Sequence, residues 1–195
     1  FMGSESTIYT YLEGASDPAV NFAQLTQRAG NFLVAREEMP VFKWEDLKGT
    51  QVLGGRAGGM PQMVFEYILK QHNIDPTVDL TIDQSVDFGS TAAAFSGSDT
   101  FDYTVEFEPH ATALETKGDG YVVASLGEDS GYVPYTAFSA KKSYIEANPE
   151  VIQSFTNALQ KGMDYVQTHT PEEIAKIIQP QFEETDLETL TTIVE

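Results

Sequence analysis

The chain has 195 residues, enough for one sizeable core or two small ones. Eleven basic residues stand against thirty acidic ones, and the resulting formal charge of −19 repels nucleic acid and anionic lipid, so no nucleic-acid partner is expected. The chain has no cysteine, which excludes a disulfide scaffold, a thiol nucleophile and a Cys-ligated zinc site.

The opening Phe1-Met2-Gly3-Ser4 reads as the end of a strand entering a turn. A polar turn, Ser4-Glu5-Ser6-Thr7, follows and offers Ser4, Glu5 and Ser6 as ligand contacts. Asn31-Phe32-Leu33-Val34-Ala35 is short and apolar, and predicts a strand. Residues 41–48 predict a turn and a short helix anchored by Trp44 and Leu47, and Thr50-Gln51-Val52-Leu53 a second strand. Pro61 suits the first turn of a helix, along which Val64, Phe65, Ile68 and Leu69 recur at helical spacing. Asn73 and Pro76 stop it.

Leu80-Thr81-Ile82 predicts a strand and residues 90–95 a small-residue helix. Tyr103, Val105 and Phe107 alternate with Thr104 and Glu106, the pattern of a strand with two distinct faces. A short helix over 109–115 and a strand over 121–124 come next. This rhythm predicts an α/β fold with a largely parallel sheet. A strand over 135–140 opens the last third. Helices then start at Asn148-Pro149-Glu150, at Thr170-Pro171-Glu172-Glu173 and at Asp186, each by N-cap chemistry.

Three strand-to-helix corners carry chemistry. The first, Gly54-Gly55-Arg56-Ala57-Gly58-Gly59-Met60-Pro61-Gln62, combines glycines with a helix start. Glycine lets backbone approach a ligand closely, and helix-start N–H groups suit an anion or polar group. Gly55, Arg56, Ala57, Gly58, Gly59, Met60 and Gln62 are the candidate contacts; a tight turn without a ligand is the plainer reading. The frame fits neither a dinucleotide loop nor a phosphate-binding P-loop. At the second corner, Asp87-Phe88-Gly89-Ser90-Thr91, the hydroxyls of Ser90 and Thr91 either cap a helix or face a ligand. The third is Glu106-Phe107-Glu108-Pro109-His110. On an extended strand Glu106, Glu108 and His110 share a face, an arrangement open to metal binding, acid–base work or ligand lining, with Phe107 beside them; helix capping by Glu108 is the bland alternative. No G-x-S-x-G elbow or H-E-x-x-H motif occurs, and neither a catalytic residue, a resident metal nor a cofactor is expected.

These residues resemble a family. Val41-Phe42-Lys43-Trp44-Glu45-Asp46-Leu47-Lys48-Gly49 is similar to the S-x-x-D-L-K-G-K opening of the second lobe in type II periplasmic binding proteins. Glu106-Phe107-Glu108-Pro109 is similar to the W-E-P ligand loop of their NMT1/THI5-like group, with Phe107 as the aromatic. Asn148-Pro149-Glu150-Val151-Ile152 resembles the group's N-P-E-x-V helix start. The resemblance implies a type II periplasmic-binding-protein-like clamshell of two three-layer α/β/α lobes. Lobe two runs over 34–133, with 1–33 and 134–195 an incomplete lobe one, as in a chain truncated at both ends. It implies the extracytoplasmic solute-binding lipoprotein of a bacterial ABC importer. Its partners are a small polar or anionic solute, to which nearby aromatics add room for a ring, and a membrane permease. Exposed lobe-one helices imply self-association of the truncated chain. Two alternatives share the fold: an enzyme resembling a thiamine-pyrimidine synthase or small-acid lyase, and a clamshell sensor.

Overall fold

The computed structural model describes residues 1–87 and 89–195; Phe88, in the second predicted corner, lies outside the described residues. The chain divides into two compact units, Phe1–Thr26 with Thr136–Glu195, and Gln27–Tyr135.

The first unit opens with β1 (Met2–Gly3), α1 (Ser6–Leu12) and β2 (Ala19–Thr26). The second unit follows without interruption: β3 (Asn31–Ala35), a 3-10 turn at Trp44–Leu47, β4 (Gln51–Leu53), α2 (Met60–Gln71) and β5 (Thr81–Asp83). It continues with α3 (Thr91–Ser96), β6 (Tyr103–Phe107), α4 (His110–Lys117), β7 (Tyr121–Ser125) and α5 (Leu126–Asp129). The chain then returns to the first unit through β8 (Thr136–Lys141), α6 (Lys142–Ala147), α7 (Pro149–Thr168), α8 (Pro171–Ile178) and α9 (Leu187–Val194).

In the second unit the strand order is β5-β4-β6-β3-β7. β4 runs parallel to β5 and β6, whereas β3 is antiparallel to both β6 and β7. The sheet is therefore mixed: four strands run the same way, as the rhythm predicts, and β3 alone runs against them. The cause is the connection after β3, which carries only a 3-10 turn. Without a full crossover, the chain leaves β3 at the edge where β4 begins, and the two strands point in opposite directions.

Helices cover both faces of this sheet. Leu33, Val52 and Val105 pack with Val64, Phe65, Ile68 and Leu69 of α2 and with Leu126 of α5. Val34 and Leu53 pack with Phe95 of α3 and with Ala111 and Leu114 of α4. Each fully buried large side chain, such as Phe65 or Leu69, contributes about 1.5–3 kcal/mol. The resulting three layers, helix on sheet on helix, are the expected α/β architecture.

The first unit holds an antiparallel sheet of order β1-β8-β2. Phe155 of α7 sets its ring against those of Phe22 and Phe138. Every residue of α7 is nonetheless exposed or half-buried. Capping accounts for the later helix starts: the side chains of Thr170 and Glu173 bond each other's backbone N–H, and Asp186 accepts from the Thr189 N–H at 2.9 Å.

Candidate functional site

Because β4, β5 and β6 are parallel, their C-terminal ends share one edge of the sheet in the second unit. All three predicted corners of that unit lie on it.

The first corner leaves β4 through Gly54, whose N–H donates to the Asp83 carbonyl at 3.1 Å. A Cβ on Gly54 would collide with Ile82 Cγ2, so glycine lets β4 end against β5 without displacing Ile82. Gly55 and Gly58 take left-handed φ values of +80° and +74°. The Gly58 N–H donates to Gln62 Oε1 at 2.6 Å, and the Gln62 amide donates onward to the Glu66 carboxylate. Gln62 thus ties the loop to the first turn of α2, where Pro61 sits in the first two positions after Gly59. Gly55 is buried, Gly59, Met60 and Gln62 are half-buried, and Arg56, Ala57 and Gly58 are exposed.

The second corner follows β5. Asp83 accepts from the Ser85 hydroxyl at 2.7 Å and the Ser85 N–H at 2.8 Å, and these bonds, the hydroxyl's first, hold its carboxyl below the usual range. Ser90 is exposed at the start of α3. Thr91 is buried.

The third corner differs from its sequence reading. Strand β6 ends at Phe107, the Glu108–Pro109 bond is cis, and His110 begins α4. Glu106, Glu108 and His110 therefore do not share an extended face. Glu106 is 2 % exposed and accepts from the Thr104 hydroxyl at 2.6 Å. Burial raises its pKa above the ordinary glutamate range, while hydrogen bonds from Thr104 and Thr91 and the nearby His110 oppose the shift. Glu108 turns to α4, accepting from the Thr112 N–H at 3.1 Å and the Thr112 hydroxyl at 3.0 Å. The capping reading of Glu108 is the one found. His110 is exposed. Among the described residues no three His, Asp or Glu side chains gather into a possible metal site. A groove of about 470 Å³ runs between α3 and α4, past Gly89, Ala92, His110 and Lys117.

In the first unit, Ser4 and Glu5 form the turn before α1. The Ser6 hydroxyl donates to the Gly3 carbonyl at 2.8 Å, and the Asn21 amide to the Ser4 carbonyl at 3.0 Å. A Cβ on Gly3 would collide with the Glu5 carboxylate, which folds back over it.

Two polar residues of the second unit escape the sequence reading. Thr104 supplies the buried hydroxyl bond to Glu106. Asn31, at the head of an otherwise apolar strand, is fully buried. A lone amide opening an apolar run is the signal that could have marked it.

Residues 2–174 match the family described as NMT1/THI5 like. The chain belongs to the NMT1/THI5-like family. This member is 48 % identical over 194 residues to YtlA of Bacillus subtilis (strain 168), a protein provisionally named a binding protein. The alignment takes in 100 % of the chain and 58 % of YtlA, so the chain spans less than two thirds of that relative. The NMT1/THI5-like chain also shares its fold with the periplasmic aliphatic sulphonate binding protein SsuA of Escherichia coli, at 18 % identity and a TM-score of 0.76, over 98 % of the chain and 63 % of SsuA. The periplasmic nitrate-binding protein NrtA of Synechocystis PCC 6803 matches at 16 % identity and a TM-score of 0.73, over 96 % of the chain and 52 % of NrtA. The alkanesulfonate-binding SsuA of Xanthomonas axonopodis pv. citri, bound to MOPS, gives 15 % identity and a TM-score of 0.77, over 98 % of the chain and 63 % of that protein. Among the described residues no helix is long and apolar enough to cross a membrane.

Proposed function

We propose that the chain is the gripping part of an extracytoplasmic solute-binding protein that delivers a small polar or anionic solute to the permease of an ABC importer. The observation that carries this reading is the gathering of three strand-to-helix corners on one sheet edge, the place where open α/β sheets take ligands. In this reading 34–133 is the complete lobe two, with 1–33 and 134–195 contributing to lobe one. The contacts in lobe two are the glycine corner from Gly55 to Gln62, Ser90 with Thr91, and the corner from Glu106 to His110; Ser4, Glu5 and Ser6 are those of lobe one. Left-handed Gly55 and Gly58 turn the loop tightly at this edge, and exposed Arg56, Ala57 and Gly58 are its parts open to a polar or anionic group. The fold shared with sulphonate- and nitrate-binding proteins supports the same class of solute. Lipid anchoring at the outer face of the membrane completes the proposal, as does self-association of the chain taken alone through the apolar face of α7.

The test is calorimetric titration and thermal melting of the full-length protein with ethanesulfonate, nitrate and an aminopyrimidine. Micromolar or tighter binding of one solute, returned unchanged, is expected. Conversion of a solute into product, with no rise in melting temperature beforehand, would overturn the reading.

A further inference from the structure

Five polar side chains are buried in the described structure: Asn31, Thr91, Thr104, Glu106 and Ser130. Thr104 and Thr91 each bond Glu106, and the Ser130 hydroxyl donates to the Gly131 carbonyl. Asn31 is different. Its Oδ1 accepts a long 3.5 Å bond from the Tyr135 hydroxyl, while Nδ2, with two hydrogens to donate, is buried without a partner among the described residues. Turning the amide over merely exchanges which end is orphaned. A buried donor left unmade destabilises the fold, so a residue kept in that state calls for an explanation.

Its position supplies one. Asn31, Leu33 and Ala35 occupy alternate places on β3 and face the same way. Leu33 and Ala35 belong to the core shared with α2, so Asn31 ends the row that faces α2. Asn31 lies directly across from Phe107, the last residue of β6, which puts it on the edge that carries the three corners. Met60, the first residue of α2, packs into the same core as Phe107 and Tyr135. The Phe107 and Tyr135 rings stand 6.5 Å apart, centre to centre. Phe107 is half-buried, whereas Tyr135 is buried. Of these two rings only Phe107 reaches the surface, so it is the one whose movement would open Asn31 to a ligand.

We infer that Asn31 is a ligand-contacting residue of this edge: its Nδ2 donates to an oxyanion oxygen of the solute once the Phe107 ring moves. The chemistry is that of a neutral donor on the sheet edge from which α2 starts, which suits an anion in a protein whose net charge is strongly negative. The inference rests on the solute-binding reading above and adds to it a residue and a ligand group.

The test titrates full-length protein with ethanesulfonate and nitrate, comparing wild type with Asn31→Leu and Asn31→Asp. Leucine removes the orphan at similar size, and should leave the melting temperature unchanged or raised while weakening affinity about 10- to 100-fold. Aspartate keeps the acceptor for Tyr135 but replaces the donor end, so it should bind at least as weakly. Retention of wild-type affinity to within about twofold in Asn31→Leu overturns the assignment. If the leucine variant does not fold, the same retention in Asn31→Asp overturns it, and failure of both to fold makes Asn31 a structural residue instead. Binding of an aminopyrimidine alone removes the oxyanion. A wild type that binds no solute removes the solute-binding reading itself, and the inference with it.

Discussion

The Thr104 hydroxyl donates to the Glu106 carboxylate two residues further along β6, at 2.6 Å and out of contact with solvent. Residues two apart on a strand face the same side, so the pair lies within one layer, between the sheet and helices α3 and α4. Thr91, the first residue of α3, bonds the same carboxylate. Glu106 thereby fastens the start of a helix to the end of a strand, and its charge is set by burial as much as by its partners.

That burial predicts a pH dependence. Burial disfavours the charged carboxylate, so the folded protein keeps the Glu106 proton to higher pH than the unfolded chain does. The contribution is complete below the unfolded pKa, about 4.3, and is lost as pH rises through the raised folded pKa. Denaturant titrations should show wild type losing stability relative to Glu106→Gln as pH climbs through that window. A flat difference would contradict the burial argument. Glu106→Leu should instead cost about 1–3 kcal/mol, because it strands the Thr104 and Thr91 hydroxyls.

Gly54 predicts a steric effect. The methyl of Gly54→Ala would collide with Ile82 Cγ2, so the Ile82 side chain or the strand that carries it must shift. A loss of about 1–3 kcal/mol is expected in chemical denaturation. The double variant Gly54→Ala/Ile82→Ala should be less unstable than the sum of the single losses, because the second change removes the collision.

Glu108 predicts a helix-start effect. It accepts both the N–H and the hydroxyl of Thr112. Glu108→Ala should cost about 1 kcal/mol, and circular dichroism should show earlier loss of helix on heating. Adding Thr112→Val should cost little more, since its hydroxyl partner is already gone.

The surface of α7 predicts association. Val151 and Val166 are more than half exposed, and an apolar groove beside Leu25 runs past Phe155, Leu159 and Met163. The 195-residue chain by itself should sediment as more than a monomer at raised concentration. Val166→Glu should shift it towards monomer without lowering its melting temperature.

Parts of this fold were legible because the signals were local. Pro61, Asn148-Pro149, the Thr170–Glu173 pair and Asp186 each mark a helix start by chemistry within four residues, and each helix begins there. The apolar run from Asn31 and the alternation from Tyr103 gave their strands for the same reason. Strand β2 was not legible: its Ala-Val-Asn-Phe-Ala-Gln-Leu-Thr has no clean alternation, and it is a strand because β8 pairs with it from far along the chain. The direction of β3 was hidden likewise, being fixed by pairing with β6 and β7. At the site, the three corners were visible as glycine, hydroxyl and acid clusters. The divergence of Glu106 from Glu108 was not, because it depends on where β6 stops and α4 begins. Asn31 gave only the faint signal of one amide in an apolar run.

The hydrogen bond from the Val133 N–H to the Gln27 carbonyl, 3.0 Å long, joins the two ends of the second unit. Strands β2 and β8 are separated in sequence by that entire unit, and closing so long a loop in an unfolded chain is entropically costly. Once the unit has folded, its ends are already together, and the connection behaves like that of a short hairpin. The antiparallel sheet of the first unit should therefore form late, and variants that weaken the sheet of the second unit, such as Gly54→Ala, should slow the acquisition of both.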